Sequence, residues 1–399
     1  MAIDLADSSF DQPSKIDFLL GVDIYPHILS SNSPHIISGN PSAILTLFGC
    51  VIMVNTSTEH PTTSSVSLLV VNPSLDSLLR QFWEQEEIEI SKPVNPDDVF
   101  CEEHFLQTHS RDASGRYSVS LPFKKGCTSL GVNRHIAMKS FFNLEKRLHK
   151  QPETEESYQA FLTEYEDLRH MNVITKPSSY ILPHHCVFKQ TNSSTKIRVV
   201  FNGSALDSKG SSLNERLLPG PKLQNDLSDI LISFRVHEVA ICADIRMMYR
   251  QIMLVLEDRQ FQHIFWRSKR NLPVKEYELN TVTYGLTSSA YLAQRVLHQL
   301  VTDEGAQYPL ASNALIAHSY VDDIVTGAAS MKEAEKLKTE LINLLSKGGF
   351  ELRKWCSNLP ESLNSLPAQY LENRIVFSTE ESAFKILGLM WEPNSDNFT

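Results

Sequence analysis

Two groups of carboxylates close apolar runs in this chain. Asp244 follows Val239-Ala-Ile-Cys-Ala243 and so sits at the end of a buried strand, where an ionised acid needs partners. Downstream, Tyr320-Val-Asp-Asp-Ile-Val325 sets Asp322 and Asp323 inside an apolar, strand-like segment, where two adjacent carboxylates are expensive to bury. Strand alternation sends the pair to opposite faces, and a hairpin turn at the pair relieves part of the cost. A divalent cation relieves more, because Mg²⁺ is held by one or two carboxylates together with substrate phosphates. Three carboxylates converging from separate strands are what two-metal phosphoryl transfer demands. One ion activates an attacking 3′-hydroxyl and the other steadies the leaving pyrophosphate, with the two ions about 3.5–4 Å apart. From these residues alone, a plain Asp-Asp hairpin turn stays open as the alternative.

Convergence requires elements that carry the acids to one place. From Tyr180 onward strands and helices alternate: Ile197 to Phe201 and Val239 to Ala243 suit buried strands, and Ser288 to Thr302 has helical character. Ser330 with Glu333 makes a capping-box pattern, Leu337, Leu341, Leu344 and Leu345 supply a buried face, and Gly348 is placed for a C-terminal cap. Between Pro73 and Lys176 the pattern is helical, clearest where Tyr158, Phe161, Leu162, Tyr165 and Leu168 form one apolar stripe, which reads as a core face. Residues 1 to about 72 read as short strands and turns, with an apolar stretch from Ile16 to Ile24 around Gly21. The Ser/Thr/Pro-rich stretch from Asn55 to Ser67 reads as a flexible linker. No internal repeat occurs at a solenoid period.

Composition narrows the class. At 399 residues and 42% hydrophobic content the chain can bury sizeable cores, which excludes a disordered polymer. The longest nearly uncharged apolar run, Ala43 to Val54, falls short of the roughly 20 residues of a membrane span, so no membrane partner is expected. The N-terminus lacks the pattern of a signal peptide, and an intracellular, cytoplasmic location is the expectation. The six cysteines are scattered without a CxxC pair, which favours reduced thiols. His184, His185 and Cys186 are adjacent, but neighbours in a strand face opposite sides, which disfavours a zinc site. Net charge is −10, yet between Lys176 and Lys275 there are 15 Lys and Arg against 8 Asp and Glu. A basic segment in an acidic chain suits a phosphate-binding surface, with a solvated face as the alternative.

With these residues in view, the sequence resembles a known family. Tyr320-Val-Asp-Asp323 resembles the YxDD box of reverse transcriptases, and the other boxes occur in order around it. Lys196-Ile-Arg-Val-Val-Phe-Asn202 is similar to the fingers segment whose basic residues hold the incoming triphosphate. Ala243-Asp-Ile-Arg-Met-Met-Tyr249 resembles the first metal box of the palm, with an aromatic five residues after the aspartate. Thr283-Tyr-Gly-Leu-Thr-Ser-Ser-Ala290 resembles the segment under the nascent base pair. Gly348-Gly-Phe-Glu-Leu-Arg-Lys354 and Leu387-Gly-Leu-Met-Trp391 resemble the last palm box and the primer grip. The wording of Leu182-Pro-His-His185, Gly220-Pro-Lys-Leu-Gln224, Met248-Tyr-Arg-Gln251 and Glu351-Leu-Arg-Lys-Trp355 is most similar to the Bel/Pao group of long-terminal-repeat retrotransposons. This likeness runs from about Arg111 to the C-terminus. In one departure, Tyr284 stands before Gly285 where many retroviral enzymes have glutamine, and it is left outside the set of site residues.

The resemblance implies an α+β fold, a right-hand polymerase with fingers and palm, behind a small partial β-rich N-terminal segment. It implies an RNA-directed DNA polymerase that adds deoxynucleotides to a primer 3′ end. Asp244, Asp322 and Asp323 would be catalytic and would hold Mg²⁺ (or Mn²⁺), with the Ile245 carbonyl as a further ligand. Lys196 and Arg198 would neutralise the triphosphate, Tyr249 would lie under the nucleotide sugar, and Gly285 would let the backbone approach the template–primer pair. Partners would be an RNA or DNA template with its primer, deoxynucleoside triphosphates, and other products of a retroelement polyprotein. Lys15-Ile-Asp-Phe-Leu-Leu-Gly-Val-Asp-Ile24 resembles the closing part of a retroviral-like aspartic protease, and no Asp-Thr/Ser-Gly tripeptide accompanies it. The expected organisation is therefore a protease remnant at 1–60, a linker at 61–110, a helical connector at 111–175, and fingers and palm at 176–399 with an incomplete thumb. A catalytically silent fragment, or one adopted as a nucleic-acid-binding protein, is the competing reading.

Overall fold

The computed structural model describes Ile28 and residues 36–37, 42–53, 95–127, 129–174, 176–190, 195–372, 375–378, 381–392 and 397–398. The chain divides into two units, Met1–Ile88 and Glu89–Thr399. In the first, β1 (Ile36–Ile37), β2 (Ser42–Thr46) and β3 (Gly49–Met53) form an antiparallel sheet. The protease-like segment Lys15–Ile24 and the linker reading of Asn55–Ser67 lie outside the described residues.

The second unit is mixed α+β. It opens with α1 (Pro96–Thr108), the hairpin of β4 (Ser110–Arg111) and β5 (Tyr117–Val119), then α2 (Arg134–Leu148), α3 (Pro152–Asp167) and β6 (Met171–Val173). Next come β7 (His184–Gln190) and β8 (Thr195–Phe201), paired as a hairpin, followed by α4 (Leu227–Arg235) and β9 (Val239–Ile245). β10 (Met253–Leu254), β11 (His263–Trp266), β12 (Lys275–Leu279), α5 (Ser289–Glu304) and α6 (Pro309–Ala317) lead to β13 (Ser319–Tyr320) and β14 (Asp323–Ala328). α7 (Met331–Lys347) and β15 (Leu352–Ser357) complete the central part, and β16 (Ile375–Ser378), β17 (Glu381–Ile386), β18 (Leu389–Glu392) and β19 (Asn397–Phe398) form a last antiparallel sheet.

The central sheet has the order β13-β14-β9-β15, all antiparallel. β9 is apolar at almost every position because both its faces are covered. Val239, Ile241, Ala243 and Ile245 enter the main core, whereas Ala240 and Cys242 join a second core with Phe234, Phe384, Ile386 and Trp391. By the same two-residue period Asp244 belongs to the side of the second core, and so does Asp323, two residues before Val325.

α7 illustrates how the local chemistry works. The Ser330 hydroxyl accepts from the Glu333 amide, but the Glu333 carboxylate reaches the Ala329 amide, one residue before the cap, so the expected box is displaced by one position. At the other end Gly348 has φ −95°, and it is Gly349, at φ +74°, that takes the left-handed conformation. Bonds from Gly349 to Ser346 and from Phe350 to Leu345 satisfy the last carbonyls. On α3, Tyr158, Leu162 and Tyr165 are buried as the stripe predicts, while Leu168 is the C-terminal cap and is exposed. Among the described residues the cysteines are free. His184 meets the Tyr158 hydroxyl with one ring nitrogen and the Phe265 carbonyl with the other, so it has no lone pair for a metal.

Candidate active site

The β9–β14 register sets Asp323 directly opposite Asp244. Opposed residues of antiparallel strands share a face with Cβ atoms about 4.5–5.5 Å apart, and like charges there repel. The fold answers with a cation from the other neighbour of β9. Lys354 Nζ lies 2.6 Å from Asp244 Oδ2. It reaches that position through an irregularity in β15 between Arg353 and Cys356, with Lys354 itself at φ +52°. Bulges re-aim side chains in this way. Burial pulls the Lys354 ammonium down, but its bond to Asp244 and the Asp244 charge outweigh that and hold it above the ordinary lysine range.

Asp322 occupies the tip of the β13–β14 hairpin, and Asp323 opens β14, so the turn lies one residue before the Asp-Asp pair. Tyr320 pairs with Asp323, leaving Val321 and Asp322 as a two-residue turn, with Val321 at φ +57°. Glycine is the residue suited to that first turn position, and a β-branched side chain there costs about 1–3 kcal/mol. The Ile245 amide donates to the Asp322 carbonyl at 2.7 Å, which ties the turn to the end of β9. Burial pushes the Asp322 carboxyl above the ordinary aspartate range and the Asp244 charge pushes it further, against the pull of Lys354 and Arg198.

Beyond Ile245 the chain turns through Met247, at φ +52°, into a 3₁₀ helix over Met248–Gln251. This brings Tyr249 back toward the acids. Its ring centroid lies 4.8 Å from that of Tyr284, and the Arg198 guanidinium stands over the Tyr284 ring at 5.6 Å. Burial, and then the Asp322 charge, push the Tyr249 hydroxyl up to about 12. These residues form one shelf: the Asp322 charge acts on both tyrosine rings, and Arg198 stands over one of them.

A family model described as reverse transcriptase (RNA-dependent DNA polymerase) matches residues 166–388, more than half of the chain. The chain belongs to the reverse transcriptase family. It is accordingly an RNA-directed DNA polymerase, of a family that binds nucleic-acid template and deoxynucleotides and uses divalent metals. No curated protein matches it. No helix among the described residues is long and apolar enough to cross a membrane.

The fold of this reverse transcriptase brings Asp244, Asp322, Asp323, Arg198 and Tyr249 together. The Ile245 side chain is fully buried, so only its backbone can serve the shelf. The Lys196 side chain lies outside the described residues. Two neighbours join that sequence reading left out, Lys354 and Tyr284. Both stand inside quoted boxes, but nothing in their spacing announces that they meet Asp244 and Tyr249.

Among the described residues no three His, Cys, Asp or Glu side chains are gathered closely enough to cage an ion unaided. That suits Mg²⁺, which keeps waters and draws on substrate phosphates beside one or two carboxylates. Hard oxygen donors at Asp244 and Asp322, whose mutual repulsion Lys354 and Arg198 offset only in part, are a fitting set.

Gly285 is held to glycine by the protein itself. At φ +94° a Cβ would stand 2.0 Å from the Phe201 carbonyl oxygen. Gly285→Ala is expected to lower stability by about 2 kcal/mol or more, read from urea unfolding. A loss below about 0.5 kcal/mol would show that the loop yields.

Proposed function

We propose that the chain is the polymerase core of a Bel/Pao-type retrotransposon polyprotein, extending a primer on an RNA or DNA template by two-metal phosphoryl transfer. In this reading β9 with β13–β15 is the palm sheet and the β7–β8 hairpin belongs to the fingers. Residues 1–60 are a protease remnant, 61–110 a linker that ends in α1, whose Cys101 and Phe105 join the main core, 111–175 a connector, and 176–399 the fingers and palm. The supporting observation is the register that opposes Asp323 to Asp244 while the hairpin tip holds Asp322 within reach of the Asp244 charge.

Each residue has a role that follows from its place. Asp244 and Asp322 hold Mg²⁺ or Mn²⁺ with Asp323 in support, and the Ile245 carbonyl is a further oxygen donor. Bound ions supply activation of the primer 3′-hydroxyl and relief of the charge on pyrophosphate. Lys354 neutralises Asp244 before substrate arrives, at a distance of 2.6 Å. Arg198, which forms no ion pair with a described carboxylate, offers its planar guanidinium to the triphosphate, with Lys196 beside it in β8. Tyr249 walls the sugar, and Gly285 brings its loop close to the template–primer pair.

Primer extension on an RNA template with purified protein and Mg²⁺ or Mn²⁺ tests the reading. Template-dependent addition of deoxynucleotides is expected. Tight primer–template binding without any extension would instead favour a fragment kept for binding alone.

A further inference from the structure

The solvent face of α2 and of the turn that follows it carries several cations, with Phe142 and Asn143 exposed between them. Lys139, Lys146, Arg147 and Lys150 are exposed, and none lies within ion-pair distance of a described carboxylate. At 100° and 1.5 Å per residue, Lys139 and Lys146 fall within about 20° of each other, about 10 Å apart along the axis, and Lys150 follows two residues after the helix ends. The opposite face, with Ala137, Phe141, Leu144 and Leu148, is buried, and α2 packs on β7 and β11. The stripe therefore points away from those strands and lies before the matched family segment.

Glu145 is the one acid of α2, and it is buried and consumed by two 2.7 Å bonds to Arg267. Arg267 also stands over the Phe142 ring at 5.8 Å and bonds the Leu272 carbonyl. These contacts hold the β11–β12 loop beside α2, and Lys269 and Arg270 of that loop are exposed. Phe142 remains 40% exposed among these cations. The stripe ends where α3 begins, with Glu155 against His149.

We infer that this face is a second nucleic-acid surface, outside the catalytic shelf, that takes a single strand by its phosphates and lays bases against Phe142. Unpaired cations in a chain of net charge −10 call for a polyanion. An exposed ring set among them favours a strand with free bases over a duplex, since every base offers a stacking face. The inference goes beyond the polymerase reading, because none of these residues touches the shelf.

The test uses the full chain carrying K139Q/K146Q/K150Q, fluorescence anisotropy with an unstructured labelled RNA, and a primer–template with only a short overhang. Affinity for the single strand should fall about tenfold at moderate salt, and the slope of log K against log salt should lose about 2 units, since each neutralised phosphate contributes about 0.7 on single strands. Extension of the short-overhang substrate should not change. Phe142→Ala should weaken binding with the slope intact. A folded triple variant with unchanged affinity and slope would overturn the proposal. So would a variant that keeps RNA affinity but loses self-association by light scattering, which would assign the stripe to the acidic α3 of a second copy. If wild-type protein fails to extend yet its RNA binding still depends on the stripe, the polymerase reading falls and this one stands.

Discussion

Asp322→Asn is expected to abolish primer extension and, in the absence of divalent metal, to raise the melting temperature. The two effects share one cause. Asp322 sits half-buried at a hairpin tip, where burial and the Asp244 charge both raise its pKa from the ordinary 3.8. A carboxyl raised in the folded state gives stability that is complete below the unfolded pKa and is lost as pH rises through the folded one. At neutral pH the native protein therefore carries the full penalty, which an uncharged isostere removes. A gain of about 1.5–2 °C corresponds to roughly 1 kcal/mol in a unit of the size of Glu89–Thr399. Extension should fall by about 10³-fold or more, the scale of removing a group that stabilises phosphoryl-transfer charge. Asp244→Asn should lose extension equally but gain less in melting temperature, because it also gives up the 2.6 Å pair with Lys354, which keeps Asp323 and Glu372 as acidic neighbours. Added Mn²⁺ should stabilise wild-type protein and leave both variants unmoved. Thermal melts with EDTA, set beside extension rates, decide the matter. Extension within tenfold of wild type by either variant, or a lower melting temperature for Asp322→Asn, would remove that residue from the proposed role.

How much of this was legible beforehand depends on how local the cause is. β9 could be read because burial on both faces leaves an unbroken apolar run, so its first polar residue, Asp244, marks the strand end. The hairpin at Asp322 and Asp323 could be read because two adjacent acids in an apolar segment need a turn. α7 was legible from its leucines, but its ends were each off by one: Glu333 reaches Ala329, and Gly349 takes the left-handed role expected of Gly348. Lys354 was not legible as a partner of Asp244. A bulge that holds a lysine at φ +52° has no residue signature, since no glycine marks it. The Tyr284 contact needs three segments, β8, the Met248–Gln251 turn and the Gly285 loop, to meet in space. The charge asymmetry of the sequence falls between Lys176 and Lys275, whereas a further group of exposed cations lies earlier, on α2.

Tyr249→Val is expected to raise the use of ribonucleotides relative to deoxynucleotides by about 10- to 100-fold, the range that one volume change in a binding pocket commands. The turn at Met247 and the 3₁₀ helix over Met248–Gln251 bring the ring within reach of the Asp322 charge, and the proposed function puts the nucleotide sugar there. A ring there meets a 2′-hydroxyl as a clash, so its removal should act in kcat/KM for the ribonucleotide and leave the deoxynucleotide value nearly constant. Tyr249→Phe keeps the volume and should change the ratio little. The ring is also backed by Tyr284 at 4.8 Å, which restricts its movement. Tyr284→Leu should therefore relax the same ratio by a smaller factor, about fivefold, while weakening triphosphate binding, because Arg198 rests on that ring. Ordinary core packing makes the opposite forecast: both substitutions would lower stability and leave the sugar preference untouched. Steady-state kinetics with paired nucleotides separates the two, and an unchanged ratio in a folded Tyr249→Val protein would mean that volume at this position does not select the sugar.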